Sequence, residues 1–397
     1  MTPRHTDSNL LSRGMIAVLI AQFLSALADN ALLFAAIAML QAHAAPSWQT
    51  PMLQEAFVVA FIFLAPFVGP FADAWPKGRV MLAANAMKFA GAAAMLLGLH
   101  PLIAYNLVGV GAAAYSPAKY GILSELVVAD KLVKANGMME GSTIVAILLG
   151  AVLGGKLADA SVTMALTAIC VCYVLAAGAN LLIPRLPVAH PLQHLSPRVL
   201  VKDFFAALAT LFGNKDARFS LLGTSVFWGS GSTLRLLLVA WVPVALGIAD
   251  LSMPANLSGA VAIGIALGAA GAASLVSLTK VNRVLPAGIL IGIIIIAFSH
   301  VTNLYAAITL LVLVGTCGGF YVVPLNALLQ EKGHETVGAG HAVAVQNFFE
   351  NFAMLGLVGL YTLMDKGGLP VVQSATIFGD VVLAAISLLA VFRIMKK

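Results

Sequence analysis

AQFLSALADNALLFAAIAML, residues 21–40, is apolar almost throughout, yet it places a carboxylate, Asp29, near its middle. A run of about 20 mostly apolar residues is the length that crosses the hydrocarbon core of a bilayer as a helix. An ionisable group at that depth costs at least about 2.5–3.5 kcal/mol on insertion scales, so it faces a polar cavity or a partner. Gln22, Ser25 and Asp29 fall on one helical face by their i, i+3, i+7 spacing. The stretch therefore reads as a membrane helix with a polar stripe.

The rest of the chain has the same character. Its 397 residues are 61% hydrophobic and 10% charged, with a mean hydropathy of +0.99. Soluble domains carry about 25% charged residues, so the bilayer is the solvent for most of this surface. Spans are expected at roughly 14–40, 52–72, 79–99, 101–125, 136–158, 162–184, 219–246, 256–278, 285–301, 304–329, 338–363 and 371–393. The first of these is expected to be retained, because it is too long for the apolar region of a signal peptide. The polar stretch 185–218 reads as a connecting loop between a six-helix bundle over 1–184 and a second over 219–397. Of the 22 lysines and arginines, only Lys156 and Lys366 fall on the side opposite the termini, and Lys88, Lys119 and Arg235 lie within spans. All the others share one side. The excess of basic residues on cytoplasmic loops then puts both termini in the cytoplasm.

The two halves repeat each other. One constant offset carries Gly109 onto Gly315, Tyr115 onto Tyr321, Leu123 onto Leu329 and Glu125 onto Glu331. GVGAAAYSPAKYGILSEL (109–126) thus mirrors GTCGGFYVVPLNALLQE (315–331). Parallel six-helix halves related by an axis along the membrane normal are a known transporter architecture. The same offset carries Asp29 onto Arg235, so opposite charges are expected at similar depth, one per half.

Arg235 lies mid-span in VFWGSGSTLRLLLVAWV (226–242), on a face with Thr224, Trp228 and Gly231. Glu350 sits near mid-depth of the eleventh span, with Gln346 one turn before it and Asn347 and Asn351 extending the polar surface. Lys119 stands about 9 Å from the cytoplasmic end of its helix, beside Pro117, where a kink is expected. Glu140 lies near the start of the fifth span. With Tyr115 and Asn30, the residues Asp29, Arg235, Glu350 and Gln346 form the candidate substrate-binding set, which Lys119 and Glu140 join only by what a resemblance to a known transporter family implies. Lys88 and Asp380 have no assigned role at this stage.

GPFADAWPKGR (69–79) lies between the second and third spans. Gly69 permits close helix approach, Asp73 suits a helix N-terminus, and Lys77 and Arg79 supply anchors. These four are the candidate gating residues by what a resemblance to a known transporter family implies. Small-residue pairs Gly137/Gly141, Gly150/Gly154 and Gly264/Gly268 permit close helix contact.

Several chemistries lack their residues. No G-x-x-x-x-G-K-[ST] loop is present, so ATP hydrolysis is not expected. Neither a nucleophile elbow nor a His-Glu zinc pattern occurs, and no cofactor or enzyme activity is expected. Cys170, Cys172 and Cys317 lie in apolar stretches without metal-ligand spacing and read as packing residues. His190 and His194 flank Pro191, which argues against a helical metal pair. No basic patch of the kind that binds nucleic acid is apparent.

AQFLSALADNALLFAA (21–36), GVGAAAYSPAKYGIL (109–123), KLVKANGMMEGSTI (131–144), FWGSGSTLRLLLV (227–239), VVPLNALLQE (322–331) and AVAVQNFFEN (342–351) make the chain resemble, over nearly its whole length, the lysophospholipid transporters of the Gram-negative inner membrane. These are a branch of the major facilitator superfamily. The resemblance implies an all-α membrane protein with 12 transmembrane helices in two pseudo-symmetric bundles. It implies a flippase-like carrier, working by alternating access, that moves lysophosphatidylethanolamine and lysophosphatidylglycerol from the outer to the inner leaflet. The functional partner it implies is a separate acyltransferase–acyl carrier protein synthetase on the cytoplasmic side, and the carrier is expected to be a monomer. The loop 69–79 occupies the place of the superfamily's cytoplasmic latch, with Ala74 where a basic residue and Pro76 where a glycine is usual. His341 stands where asparagine is expected. Cavity charges of both signs suit a zwitterionic headgroup, with Arg235 and Lys119 toward phosphate and Asp29 or Glu350 toward an ammonium. Export of amphipathic drugs or uptake of a small polar solute is the alternative within the same fold. A membrane-embedded lipid enzyme would need a nucleophile and base that the sequence does not display.

Overall fold

The computed structural model of the chain describes residues 10–45, 49–186, 196–248 and 252–395. Helices account for nearly all of them, and no strand occurs among the described residues. In chain order the helices are α1 (Arg13–Ala42), α2 (Gln49–Ala74), α3 (Lys77–Leu96), α4 (Pro101–Gly121), the single turn α5 (Leu123–Leu126), α6 (Ala129–Ala160), α7 (Val162–Leu181) and α8 (Pro197–Gly213). There follow α9 (Lys215–Leu246), α10 (Ser252–Leu275), a 3₁₀ turn (Leu278–Val284), α11 (Leu285–Ser299), α12 (Leu304–Thr336), α13 (Ala339–Lys366) and α14 (Val371–Met395).

Each of the twelve expected spans falls on one of these helices. Ten are long and apolar enough to cross a membrane; the remaining two expected spans fall on α3 and α4, of 20 and 21 residues. Within the ten, between 28% and 50% of the most apolar window is buried, so much of each helix turns outward. Phe63, Val239, Leu267 and Leu388 are all well exposed there. Such a surface is stable only in contact with lipid, while the backbone hydrogen bonds close within each helix.

The expected connecting loop is not all loop. Pro197–Gly213 is a helix that buries Leu200, Phe204, Ala207 and Leu211. That spacing of four, three and four makes one apolar face, and Phe204 meets Phe348 edge-on at 5.6 Å. Counting the charges of the segment hid this periodicity. Pro117 lies inside α4, which continues through it to Gly121. His190 and His194 lie outside the described residues.

The chain divides into two compact units. The first comprises residues 1–135, 145–213 and 330–348, and the second 136–144, 214–329 and 349–397. The first unit's core gathers Leu32, Leu40, Met95, Val108, Leu166, Ile169 and Tyr173. In it, an added Cβ at Gly150 or Gly154 would meet the α1 backbone at Leu27 or Ala31. The second unit's core gathers Leu237, Trp241, Ile295, Phe298, Tyr321, Phe378 and Ile386. Trp241 stacks on Phe298 at 4.2 Å and donates its indole N–H to the Ser299 carbonyl at 3.2 Å. Gly264 and Gly268 there lie directly against the α12 backbone at Val312 and Thr316, so α10 and α12 touch main chain to main chain.

Candidate functional site

Asp29 is the centre of a polar cluster in the first unit. From α3, Lys88 brings its Nζ within 2.6 Å of Asp29 Oδ2. On α7, the Tyr173 hydroxyl donates to Asp29 Oδ1 at 2.7 Å. Lys88 Nζ also donates to Ser25 Oγ at 3.0 Å, and Ser25 donates to Asn85 Oδ1 at 2.7 Å. From α4, Tyr115 lies under the ammonium, whose nitrogen is 4.8 Å from the ring centroid. Three helices thus meet round one carboxylate, and α4 closes against the lysine. Gly111 makes room for it, since an added Cβ would stand 2.8 Å from Lys88 Cγ.

The burial of this cluster is uneven. Lys88, Ser25, Asn85 and Tyr173 are buried, whereas the Asp29 side chain is 19% exposed. A buried ammonium without a counter-charge is costly, and Asp29 supplies that counter-charge at 2.6 Å. The exposed fraction of the carboxylate leaves part of that charge open to an external group. Neighbouring Asn30 turns back on its own helix and donates to the Ala26 carbonyl at 2.8 Å.

A second buried carboxylate, Asp73, is arranged differently. It sits at the N-terminus of α13, accepting from the Gly340 and His341 backbone N–H groups at 2.8 and 3.1 Å. The His341 Nδ1 lies 2.9 Å from its second oxygen. Lys77 binds it at 3.2 Å and reaches Glu125 at 2.8 Å. A carboxylate at the first N–H groups of a helix is favoured by both hydrogen bonding and the helix dipole. Gly69 permits the approach: a Cβ there would lie 3.0 Å from Ala344 Cβ and from His341 Cα. Lys77 lies outside the apolar spans. Burial works against its charge, but attraction from Glu125 and Asp73 prevails and holds its pKa above the ordinary lysine value. Of the four expected gating residues, Gly69, Asp73 and Lys77 come together, while Arg79 is exposed.

The remaining candidates are shared between the two units. In the second unit, Glu140 is buried and accepts from Asn326 Nδ2 at 3.1 Å. Glu350 is buried, and Arg235 is half-buried on α9. In the first unit, Lys119 is buried with its Nζ 4.2 Å from the Tyr120 ring centroid. Gln346 is buried on α13, and Asn347 donates to Ser116 Oγ at 2.9 Å.

Lys88, Tyr173, His341 and Glu125 take part in these two clusters although sequence reasoning gave them no role. Lys88 carried a signal, a lysine within a span, but nothing in sequence pointed it at Asp29.

The sequence matches the model of the Major Facilitator Superfamily over residues 18–392. The chain belongs to the major facilitator superfamily. Members of the superfamily with solved structures share its fold at low identity. The fucose:proton symporter FucP of E. coli is 12% identical, with a TM-score of 0.74 over 96% of this chain and 98% of its own. The human organic anion transporter MFSD10 is 15% identical, with a TM-score of 0.76 over 95% and 99%. Much nearer in sequence are superfamily proteins named lysophospholipid transporter LplT. That of Citrobacter koseri is 55% identical over 98% of both chains. Those of Klebsiella pneumoniae subsp. pneumoniae and Enterobacter sp. strain 638 are each 56% identical, over 98% and 96% of both chains.

Proposed function

We propose that the chain is a lysophospholipid transporter of the bacterial inner membrane, working as a secondary carrier rather than an enzyme. The observation that carries this reading is the identity of 54–57% over 91–98% of the chain to several proteins of that name. The Asp29 cluster supports it physically. A partly open carboxylate held beside a fixed ammonium and two tyrosines offers both charge signs at one place, which suits a headgroup bearing an ammonium and a phosphate. Asp29 or Glu350 acts on the ammonium, and Arg235 and Lys119 on the phosphate, with Tyr115, Gln346, Asn30 and Glu140 completing the polar set. The long exposed apolar faces leave the acyl tail in contact with lipid or helix. Substrate moves from the outer to the inner leaflet as the carrier alternates its access, with both termini cytoplasmic. A separate cytoplasmic acyltransferase–acyl carrier protein synthetase then restores the second chain, and the carrier works as a monomer. Residues 1–184 and 219–397 act as the two six-helix halves, with 185–218 joining them. Gly69, Asp73 and Lys77 latch one state of the cycle.

The test is reconstitution of the purified chain in liposomes. Labelled lysophosphatidylethanolamine should cross between leaflets well above the protein-free rate. An amphipathic drug crossing in its place, with no lysolipid movement, would overturn the reading.

A further inference from the structure

The buried face of α8 is one of three stripes on that helix. Leu200, Phe204, Ala207 and Leu211 fasten it within the first unit, against α2 and Phe348. At about 100° per residue, Val201, Phe205 and Leu208 form an apolar flank beside the buried face. Phe205 is 55% exposed, and Val201 and Leu208 are half-buried. Next round the helix come Arg198 and Lys202, one turn apart and both exposed. Among the described residues neither side chain enters an ion pair or a hydrogen bond. Asp203, the one carboxylate of α8, is exposed about 100° past Lys202, on the side away from the apolar flank.

An apolar stripe bordered by cations is the pattern of a helix lying in a membrane interface. The apolar side chains sink below the headgroups, and the basic ones beside them meet phosphates. Several observations favour lipid over a protein as the occupant. The helix packs on α2, itself a membrane span, and Asn214 alone separates it along the chain from α9, another span. Arg198 stands in the first turn, where no acidic residue accompanies it. The helix dipole opposes a cation there, and an external phosphate offsets both positive charges. A strip of three apolar side chains also falls short of the roughly 800 Å² per partner of a stable protein interface. The basic residues of 185–218 put the segment on the cytoplasmic side, where the leaflet surface is anionic.

We propose that α8 is an interfacial helix docked on the anionic surface of the cytoplasmic leaflet. Val201, Phe205 and Leu208 lie below the headgroups, and Arg198 and Lys202 lie on lipid phosphates. The docking ties the segment that joins the expected halves to the bilayer, whatever the cargo.

Fluorescence quenching tests this in the full chain, with Cys170, Cys172 and Cys317 replaced by alanine. An environment-sensitive thiol dye is attached at Phe205→Cys or, as a control, at Thr210→Cys, which is exposed on the other side of α8. The purified protein is placed in vesicles of dioleoylphosphatidylglycerol or dioleoylphosphatidylcholine, each with the same fraction of nitroxide-labelled lipid. In phosphatidylglycerol, quenching at 205 should exceed that at 210 at least about threefold. Quenching at 205 should fall by about half or more in phosphatidylcholine, and likewise in phosphatidylglycerol at high salt, where the attraction is screened. Arg198→Gln with Lys202→Gln should abolish the difference between the two lipids, whereas Arg198→Lys with Lys202→Arg should keep it. The salt comparison uses the native cations and decides the matter even where the glutamine pair fails to fold. Equal quenching at 205 and 210, equal quenching at 205 in both lipids, or a preference that survives high salt or the glutamine pair would each overturn the proposal. So would a dye at 205 that is open to water in vesicles of the purified chain and shielded only in native membranes, the mark of a protein partner.

Discussion

Asp29 and Asp73 belong to the same compact unit, and each binds a buried lysine, yet they are built for different tasks. Asp73 is almost closed off, with its two oxygens shared among the first N–H groups of α13, the His341 ring and Lys77. Its side chain is 1% exposed. Asp29 has only side-chain partners, Lys88 and Tyr173, and keeps a fifth of its surface open. A carboxylate tied to backbone N–H groups fixes the position of a helix. A carboxylate held by side chains alone, and still partly exposed, can bind a second ligand without unlocking a helix. The difference separates a closed fastening from a carboxylate that is still partly open.

The largest effect is expected at Asp29. Asp29→Ala should abolish lysolipid movement. It should also destabilise the protein by about 3–5 kcal/mol, because Lys88 is left buried without a counter-charge. Asp29→Leu combined with Lys88→Met removes both charges and should recover most of the thermal midpoint in detergent without recovering transport. Recovery of both would reduce the pair to packing.

Asp73→Ala comes next. It strips the acceptor from the start of α13 and should cost about 2–3 kcal/mol, with transport slowed rather than abolished. A variant that loses transport with an unchanged thermal midpoint would erase the contrast with Asp29.

Gly69→Ala should cost roughly 1–3 kcal/mol by overpacking, since its new methyl would press on Ala344 and His341. The smallest effect belongs to Arg79→Ala. Its side chain is exposed, so stability should change by no more than about 0.5 kcal/mol. A large drop in the midpoint of this last variant would show that the fastening extends beyond Asp73, Lys77 and Glu125.

The legibility of these features in sequence follows the range of the interaction that makes them. Asp29 stood out because the cost of a charge in lipid is local to its own helix. The spans were legible for the same reason: length and hydropathy are properties of one segment. Lys88 did not find its partner in sequence, because the contact depends on how α1, α3 and α7 pack, 59 positions apart along the chain. Asp73 could be read as suited to a helix N-terminus, but the backbone N–H it meets, that of Gly340, lies 267 positions later. His341 could be noticed as unusual by resemblance, while its contact with Asp73 required the fold. The apolar face of Pro197–Gly213, Leu200, Phe204, Ala207 and Leu211, is written in the sequence, but it is embedded in a segment whose lysines and arginines give it the composition of a polar loop.

The most direct measurement is lysophosphatidylethanolamine movement in liposomes carrying Asp29→Asn, which keeps the shape of the side chain and removes its charge. The variant again leaves Lys88 without its counter-charge, so its thermal midpoint should fall, and the fraction that incorporates folded should move lysolipid no faster than protein-free vesicles. Movement within twofold of wild type would contradict a role for the Asp29 carboxylate in carrying the headgroup.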